Sequence, residues 1–414
     1  MRKYLIRDLF EIIGGKPSPQ GENCFSKYGT PFVKMKDLGK VHFSNNFNEF
    51  ENYVSEEVAQ INRLTSIKKG AILLPRSGSV ALNHRAVLGV DAYIVSHICA
   101  LQVKDPRVVY NIYAYYYLRS INMVNITKKT TGLDAITFED LGKIKIPLPS
   151  LDDQIRIASL LSKVENLISR RREQLKQLDE LLKSVFLEMF GDPVSNEKGW
   201  EMKRVDEISD SRLGKMRDKK FITGNHLRKY IGNSNVQWFR FKLDNLEEMD
   251  FDERERALFG LLDGDLLICE GGDIGRCAIW RNNIAECYFQ KAIHRVRLYQ
   301  SQAIPEYVQY VMMFFSLYNG FKNVTCKATI AHLTGEKLKE TLIPLPPLEL
   351  QNHFSKIVEK IEGIKSRYQQ SLTALENLYG ILSQKAFKGE LDLSRVQVVE
   401  EGESVNTINS IMCN

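Results

Sequence analysis

A chain of 414 residues, 43% hydrophobic and 26% charged, has the make-up of a soluble globular protein of one to three domains. No apolar run nears the roughly 18–20 residues that cross a bilayer, and charges at Arg2, Lys3, Arg7 and Asp8 break the opening stretch too often for a secretion signal. The net charge of +6 leaves room for a polyanionic partner only as a local patch, and seven cysteines without a C-x-x-C pair read as reduced thiols in a cytoplasmic compartment.

In chain order, the expected elements are a globular segment 1–149, a long helix 150–192, a second globular segment 193–346, a second long helix 347–391 and a tail 392–414. The order repeats because the chain is written twice. "IPLPSLDDQ" (Ile146–Gln154) returns 197 positions later as "IPLPPLELQ" (Ile343–Gln351), and "ITFEDLGKIKIPLP" faces "LTGEKLKETLIPLP". Further back, "KKGAILLPRSGSVAL" (68–82) resembles "LDGDLLICEGGDIGR" (262–276), and "AYIVSHICALQV" (92–103) resembles "CYFQKAIHRVRL" (287–298). A period this long means duplicated domains rather than a solenoid.

Within the first globular segment, "YNIYAYYYLRS" (110–120) could offer stacking tyrosines, but its equivalent "EYVQYVMMFFS" (306–316) is apolar, so both are expected in the core. The first long helix carries apolar residues in four-three steps: Ile157, Leu161, Val164, Ile168, Leu175, Leu178, Leu182, Val185 and Met189, with Arg171 in one slot. The second carries Phe354, Val358, Ile361, Tyr368, Leu372, Leu375, Tyr379, Leu382 and Ala386, with Lys365 in a slot and Ile364 beside it. Such spacing makes a stripe that seeks a partner helix. Each helix would run about 35 residues, roughly 50 Å. They are expected to pair antiparallel, with Arg171 and Tyr368 meeting at the midpoint as a cation–π contact. Ser150, with Asp153 three residues on, predicts a cap for the first helix, and Pro347 a start for the second. The prolines before each helix hold the chain extended. The tail is polar and mildly acidic, either loose or adding "VQVV" to the first domain as an edge strand.

No catalytic set is legible in the sequence. "GDPVSN" (191–196) lacks the second proline and aromatic of an amino-methyltransferase loop, and no phosphate loop is present. Asp192 with Glu201 and Lys203 matches a metal-nuclease pattern by letters, but reads better as a linker acid and a strand. Seven scattered histidines give no metal site, and "GGDIG" (271–275) reads as a tight hairpin rather than a phosphate cradle.

Base and phosphate contacts need cationic, amide and hydroxyl side chains on loops. The first domain offers Lys36, Arg76, Ser77, Ser79, Asn83, Arg85, Lys128 and Lys129. The second offers Lys215, Arg217, Lys219, Lys220, Asn225, Arg228, Lys229, Arg276, Lys322 and Lys327. Basic residues also crowd the first long helix in "SRRREQLK" (169–176).

The phrase I-P-L-P-x-L-x-x-Q before a long heptad helix, written twice, resembles the specificity subunit of type I restriction–modification enzymes. The resemblance covers about residues 1–392. It is supported by "YGTPFVKMKDL" (28–38), the hairpin stretches 68–81 and 262–276, and the opening stretches "KYLIRDLFEII" (3–13) and "GWEMKRVDEI" (199–208). Ser150 stands where the family has proline, and Leu350 where it has an acid.

The resemblance implies an α+β fold. Two similar mixed target recognition domains would be joined by two long antiparallel helices in a pseudo-two-fold arrangement. It implies a non-catalytic subunit that reads a bipartite double-stranded DNA target. That subunit would dock two copies of a DNA-adenine methyltransferase, through Gln154 and Gln351, and a motor-nuclease restriction subunit. S-adenosylmethionine, ATP and Mg would then sit on those partners, with no cofactor or metal on this chain and a cytoplasmic location. A two-headed coiled-coil scaffold binding proteins is the alternative.

Overall fold

A computed structural model of the chain describes residues 1–21, 24–41, 45–77, 80–123, 128–130, 133–216, 224–322, 332–394 and 396. Compactness divides it into two units, Met1–Arg172 with Ser371–Asn414, and Glu173–Gln370. Each is an α+β body built on the same plan.

In the first unit an antiparallel four-stranded sheet runs in the order Phe10–Gly14, Ile98–Val103, Ile72–Pro75, Ala86–Val87. The second unit repeats it with Ser209–Leu213, Ile293–Leu298, Leu266–Cys269 and Cys277–Ile279. A three-stranded sheet lies in each. In both, a central strand pairs antiparallel on one side and parallel on the other: Thr30–Val33 in the first unit, Leu227–Ile231 in the second. The central strands Ile72–Pro75 and Leu266–Cys269 are buried throughout, which is why they read as unbroken apolar runs.

The stretches expected in the core are there. Tyr113, Tyr115 and Tyr116 of the helix Asn111–Ser120 are fully buried. They pack with Leu74 and Leu101 of the sheet and with Ile157, Leu161 and Ala386 of the long helices. In the second unit Tyr307, Val311 and Phe314 of the helix Pro305–Leu317 join Ile268, Val296, Phe186, Phe190 and Phe354. Burying each such side chain contributes about 1.5–3 kcal/mol.

The repeated phrase does more than start a helix. Its prolines argue against a strand, yet Lys145–Leu148 pairs antiparallel with the opening strand Arg2–Leu5, and Leu342–Leu345 pairs with Glu201–Arg204. Each ribbon has only two strands, so a missing proline N–H faces no further neighbour. The Tyr113 hydroxyl donates to the Pro147 carbonyl and the Tyr307 hydroxyl to the Pro344 carbonyl, both at 2.6 Å.

The long helices span Leu151–Phe190 and Leu348–Lys388, 40 and 41 residues, longer than the 35 expected. The Ser150 hydroxyl caps the first by accepting the Asp153 N–H (3.2 Å), while donating to the Asp153 carboxylate (2.7 Å). The Pro347 carbonyl accepts the first N–H groups of the second helix. Within each unit the helix halves run antiparallel. In the first, Arg172 reaches Glu376 and Arg156 reaches the Leu393 carbonyl. In the second, Asp179 meets Lys365 and Phe190 meets Phe354.

Leu161, Val164, Ile168, Leu182, Val358, Ile361 and Leu372 are buried, and Leu175, Leu178, Leu375, Leu382, Arg171 and Tyr368 half-buried. Arg171 belongs to the first unit and Tyr368 to the second. Ile364 departs from its expected place in the seam, being 39% exposed. The adjacent slot belongs to Lys365, whose ammonium bridges Asp179 (2.7 Å) and Glu362 (2.6 Å), so Ile364 turns outward. Residues 397–399 of the tail's "VQVV" lie outside the described residues.

Candidate nucleic-acid interface

Sheet register gathers most of the candidate residues at one end of each four-stranded sheet. Gly14 pairs Cys99 and Pro75 pairs Ile98, while Ala86 opens the last strand opposite Leu73. The segment after Gly14, the turn at Val95–His97 and the loop Arg76–Arg85 therefore emerge together. The hairpin formed by Lys128–Thr130 and Leu133–Ala135 joins them through a bridge between Ser77 and Ala135. The second unit repeats this: Leu213 pairs His294, Cys269 pairs Ile293 and Ile268 pairs Cys277. Lys16 bridges Val95, and Lys215 bridges Gln290. The crossing is so close that a Cβ on Gly15 would lie 2.1 Å from the Val95 carbonyl oxygen, and one on Gly214 2.3 Å from that of Gln290. Only glycine fits either position.

The Arg76 guanidinium is exposed and stacks over the Phe138 ring, 5.0 Å from its centroid. The Ser77 hydroxyl lies 2.7 Å from His97 Nδ1, a partner the sequence had not flagged. Asn83 sits at φ 55° and donates to the Arg119 carbonyl (3.2 Å). Lys229 and Lys322 are exposed, as are the backbone turns around Asn225. Arg228 leans on Glu286 at 3.3 Å. The side chains of Lys128 and Lys129 lie outside the described residues, as do Ser79, Arg217, Lys219, Lys220 and Lys327.

Several candidates are instead engaged by groups of the protein itself, whether buried like Arg85 or exposed like Lys36. Arg85 is 1% exposed; its guanidinium donates to the His84 carbonyl (2.5 Å) and Asn83 Oδ1 (2.7 Å), and burial pulls its pKa down to about 10. Lys215 donates to the Asp250 carbonyl (2.7 Å) and pairs with Glu255 (2.6 Å). Arg276 holds Asp273 and the Asn233 carbonyl, both at 3.2 Å. Lys36 lies on the helix Met35–Lys40 and is paired with Glu51, which Lys36 and Lys40 together hold down to a pKa of about 2. Each of these cations already has a protein partner, so a phosphate would have to compete for it.

Gln154 and Gln351 also differ from expectation. They are 1% and 0% exposed, which leaves no surface for a partner. Gln154 Oε1 accepts the Tyr110 N–H (2.9 Å), and its amide donates to the carbonyls of Val108 (3.0 Å) and Pro149 (3.1 Å). Gln351 repeats the pattern with the Ile304 N–H (3.0 Å) and the carbonyls of Gln302 (3.3 Å) and Pro346 (2.8 Å). These glutamines pin the start of each long helix to the loop before each inner helix.

Among the described residues no group of three or more His, Cys, Asp or Glu could hold a metal, and no helix is long and apolar enough to cross a membrane. Cys24, Cys99, Cys269, Cys277 and Cys287 are free thiols.

Two α+β units of one plan, each with loops gathered at the same sheet end and each built on long-helix halves, define a duplicated recognition protein. The model of the type I restriction modification DNA specificity domain matches residues 1–178 and again 197–376, and the chain belongs to that family. The specificity subunit of the type I restriction enzyme MjaIX of Methanocaldococcus jannaschii is 22% identical, with 93% of this chain and 92% of that protein covered. The EcoKI specificity subunit of Escherichia coli K12 is 24% identical over 60% of this chain and 58% of its own. The fold is that of the S subunit of a type I restriction–modification system from M. genitalium, with a TM-score of 0.56, 14% identity, and 93% and 96% of the two chains covered. A chain from a study of type I R-M complex assembly and conformational transition gives a TM-score of 0.57 at 16% identity, covering 94% and 98%.

Proposed function

We propose that this specificity subunit reads a split double-stranded DNA target, one half with the gathered loops of each unit, and carries no chemistry of its own. The observation that supports this is the recurrence, at one sheet end of both units, of loops bearing Arg76, Ser77 and Asn83 in one and the residues around Gly214 and Glu270 in the other. Cations and amides on such loops are the groups that contact phosphates and base edges.

The chain would work in the cytoplasm as part of a restriction–modification complex. Two copies of a DNA-adenine methyltransferase subunit and a motor-nuclease subunit would supply S-adenosylmethionine, ATP and Mg sites. A duplicated surface supports two copies of one partner. In the first unit the Arg172–Glu376 register brings exposed Leu167 level with exposed Leu378 and Ile381. In the second, the Asp179–Lys365 register brings exposed Leu181 level with Ile364. Leu167 and Ile364 are equivalent in the repeat, as are Leu181 and Leu378. Exposed apolar groups repeated at equivalent places suit a partner that binds twice.

Sequencing the methylated bases of a genome in a host expressing the chain with its partner subunits tests the reading. A single adenine-methylated motif in two parts, separated by a fixed spacer, is expected. A continuous motif, or none, would overturn it.

A further inference from the structure

Arg76 and Glu270 hold the same place in the two units. Each is the first residue beyond a buried central strand, after Pro75 and Cys269 respectively. Each is fixed by its backbone on both sides. The Arg76 N–H donates to the His97 carbonyl (2.8 Å), and its carbonyl accepts the Ile136 N–H (2.9 Å). The Glu270 N–H donates to the Ala292 carbonyl (3.0 Å), and its carbonyl accepts the Leu333 N–H (2.8 Å). Four backbone bonds thus aim two side chains in one way, at the sheet end where the candidate loops emerge. The charges are opposite.

Neither side chain has an ion-pair partner among the described residues. Arg76 is braced by the Phe138 ring, which fixes its planar fork before any ligand arrives. The surroundings differ too. Ser77 and His97 flank Arg76, whereas Gly271 and Ala292 flank Glu270, with the His332 ring against Gly271 and the buried His294 within electrostatic reach of the carboxylate.

A carboxylate turned towards a polyanion is repelled by phosphate, so it contributes nothing to sequence-independent attraction. What it can accept is an amine, and the cytosine N4 amine in the major groove is the group a carboxylate matches. An exposed guanidinium fork at the equivalent place matches guanine O6 and N7. We propose that Arg76 and Glu270 are equivalent base readers of opposite charge, Arg76 selecting a guanine in one half-target and Glu270 a cytosine in the other. This rests on the DNA-reading function proposed above and adds which residues discriminate and for which base.

The test uses the intact complex with its partner subunits. The methylated motif found with the wild-type chain defines a duplex probe and its single-position variants, whose binding is measured at several salt concentrations. Arg76→Ala is expected to lose about ten- to hundredfold discrimination at one guanine in one half only, and Glu270→Ala the same at one cytosine in the other half. The near-isosteric Glu270→Gln should move that preference towards adenine, which a glutamine amide matches. Arg76→Lys should keep part of the guanine preference. Uniform weakening of Arg76→Ala across all duplexes, with the salt slope reduced by about one, would identify a phosphate contact and overturn the assignment. So would unchanged discrimination in assembled complexes of both alanine variants. A wild-type complex with no split motif and no salt-sensitive binding defeats the DNA-reading function itself, and this assignment with it.

Discussion

Replacing Gln351 by methionine keeps the volume of the side chain and removes its amide. The residue has no exposed surface, so water cannot take over. Three partners are left behind: the Ile304 N–H and the carbonyls of Gln302 and Pro346. Neutral hydrogen bonds contribute about 1 kcal/mol each, and a donor or acceptor stranded in a dry interior costs about 1–3 kcal/mol. Three groups stranded near the low end of that range give an expected loss of about 3–5 kcal/mol. All three tryptophans of the chain, Trp200, Trp238 and Trp280, belong to the second unit, so urea unfolding followed by tryptophan fluorescence reports on the unit that is changed. With a slope of about 2 kcal/mol/M, the midpoint should fall by about 1.5–2.5 M. Asn352→Ala, on the exposed face of the same turn, should stay within about 0.5 kcal/mol of the parent and serves as the control. A midpoint that moves by less than about 0.5 M would mean that the amide is not what holds the helix start.

Three other outcomes are expected. Ala292 sits at φ 87°, where a Cβ is strained, so Ala292→Gly should raise the stability of the second unit by about 1 kcal/mol in the same unfolding assay. Tyr113→Phe and Tyr307→Phe each remove a hydroxyl bond to a proline carbonyl, and each should cost about 1 kcal/mol by thermal unfolding. His294 is buried, and burial lowers its pKa, although its bond to the Leu333 carbonyl pulls the other way. The unfolded chain therefore binds more protons than the folded one below the ordinary histidine value of about 6.5. Stability should fall as pH drops from 7 through 6.5 towards 5, and a tryptophan-monitored pH series should be flatter for His294→Leu.

What could be read from the sequence follows the kind of signal each feature leaves. Four-three spacing marked both long helices because side-chain burial imposes that period directly. The core role of the tyrosines at 113, 115 and 116 emerged only by comparison with the apolar 306–316 copy, since tyrosine alone fits a core or a surface. For the glutamines of the repeated phrase, a docking role rests on the family resemblance and not on any pattern in the residues themselves. Their partners are backbone carbonyls some 45 residues upstream, which no pattern records. Lys365 interrupting an apolar stripe was visible, but the compensating Asp179 comes from the other helix, so the outward turn of Ile364 was not. Loop cations were legible as a class. Which of them are spent on Glu51, Glu255 or Asp273 depends on distances that only the fold sets. Glu270 is aligned with Arg76 in the repeat, but an acid is no polyanion contact by residue type, and the matching backbone bonds that place the two alike are set only by the fold.

The first unit is made of two pieces of chain, and its core includes Ala386, with Tyr379, Leu382 and Phe387 packed against it. The second unit is one continuous stretch, Glu173–Gln370. On a ribosome adding roughly 5–20 residues per second, the part made first must wait on the order of ten seconds or more for its last helical turns. The part made second can close as soon as it emerges. The amino-terminal half is thus the later of the two to mature, and during that interval its open seam is where a chaperone would find exposed apolar surface.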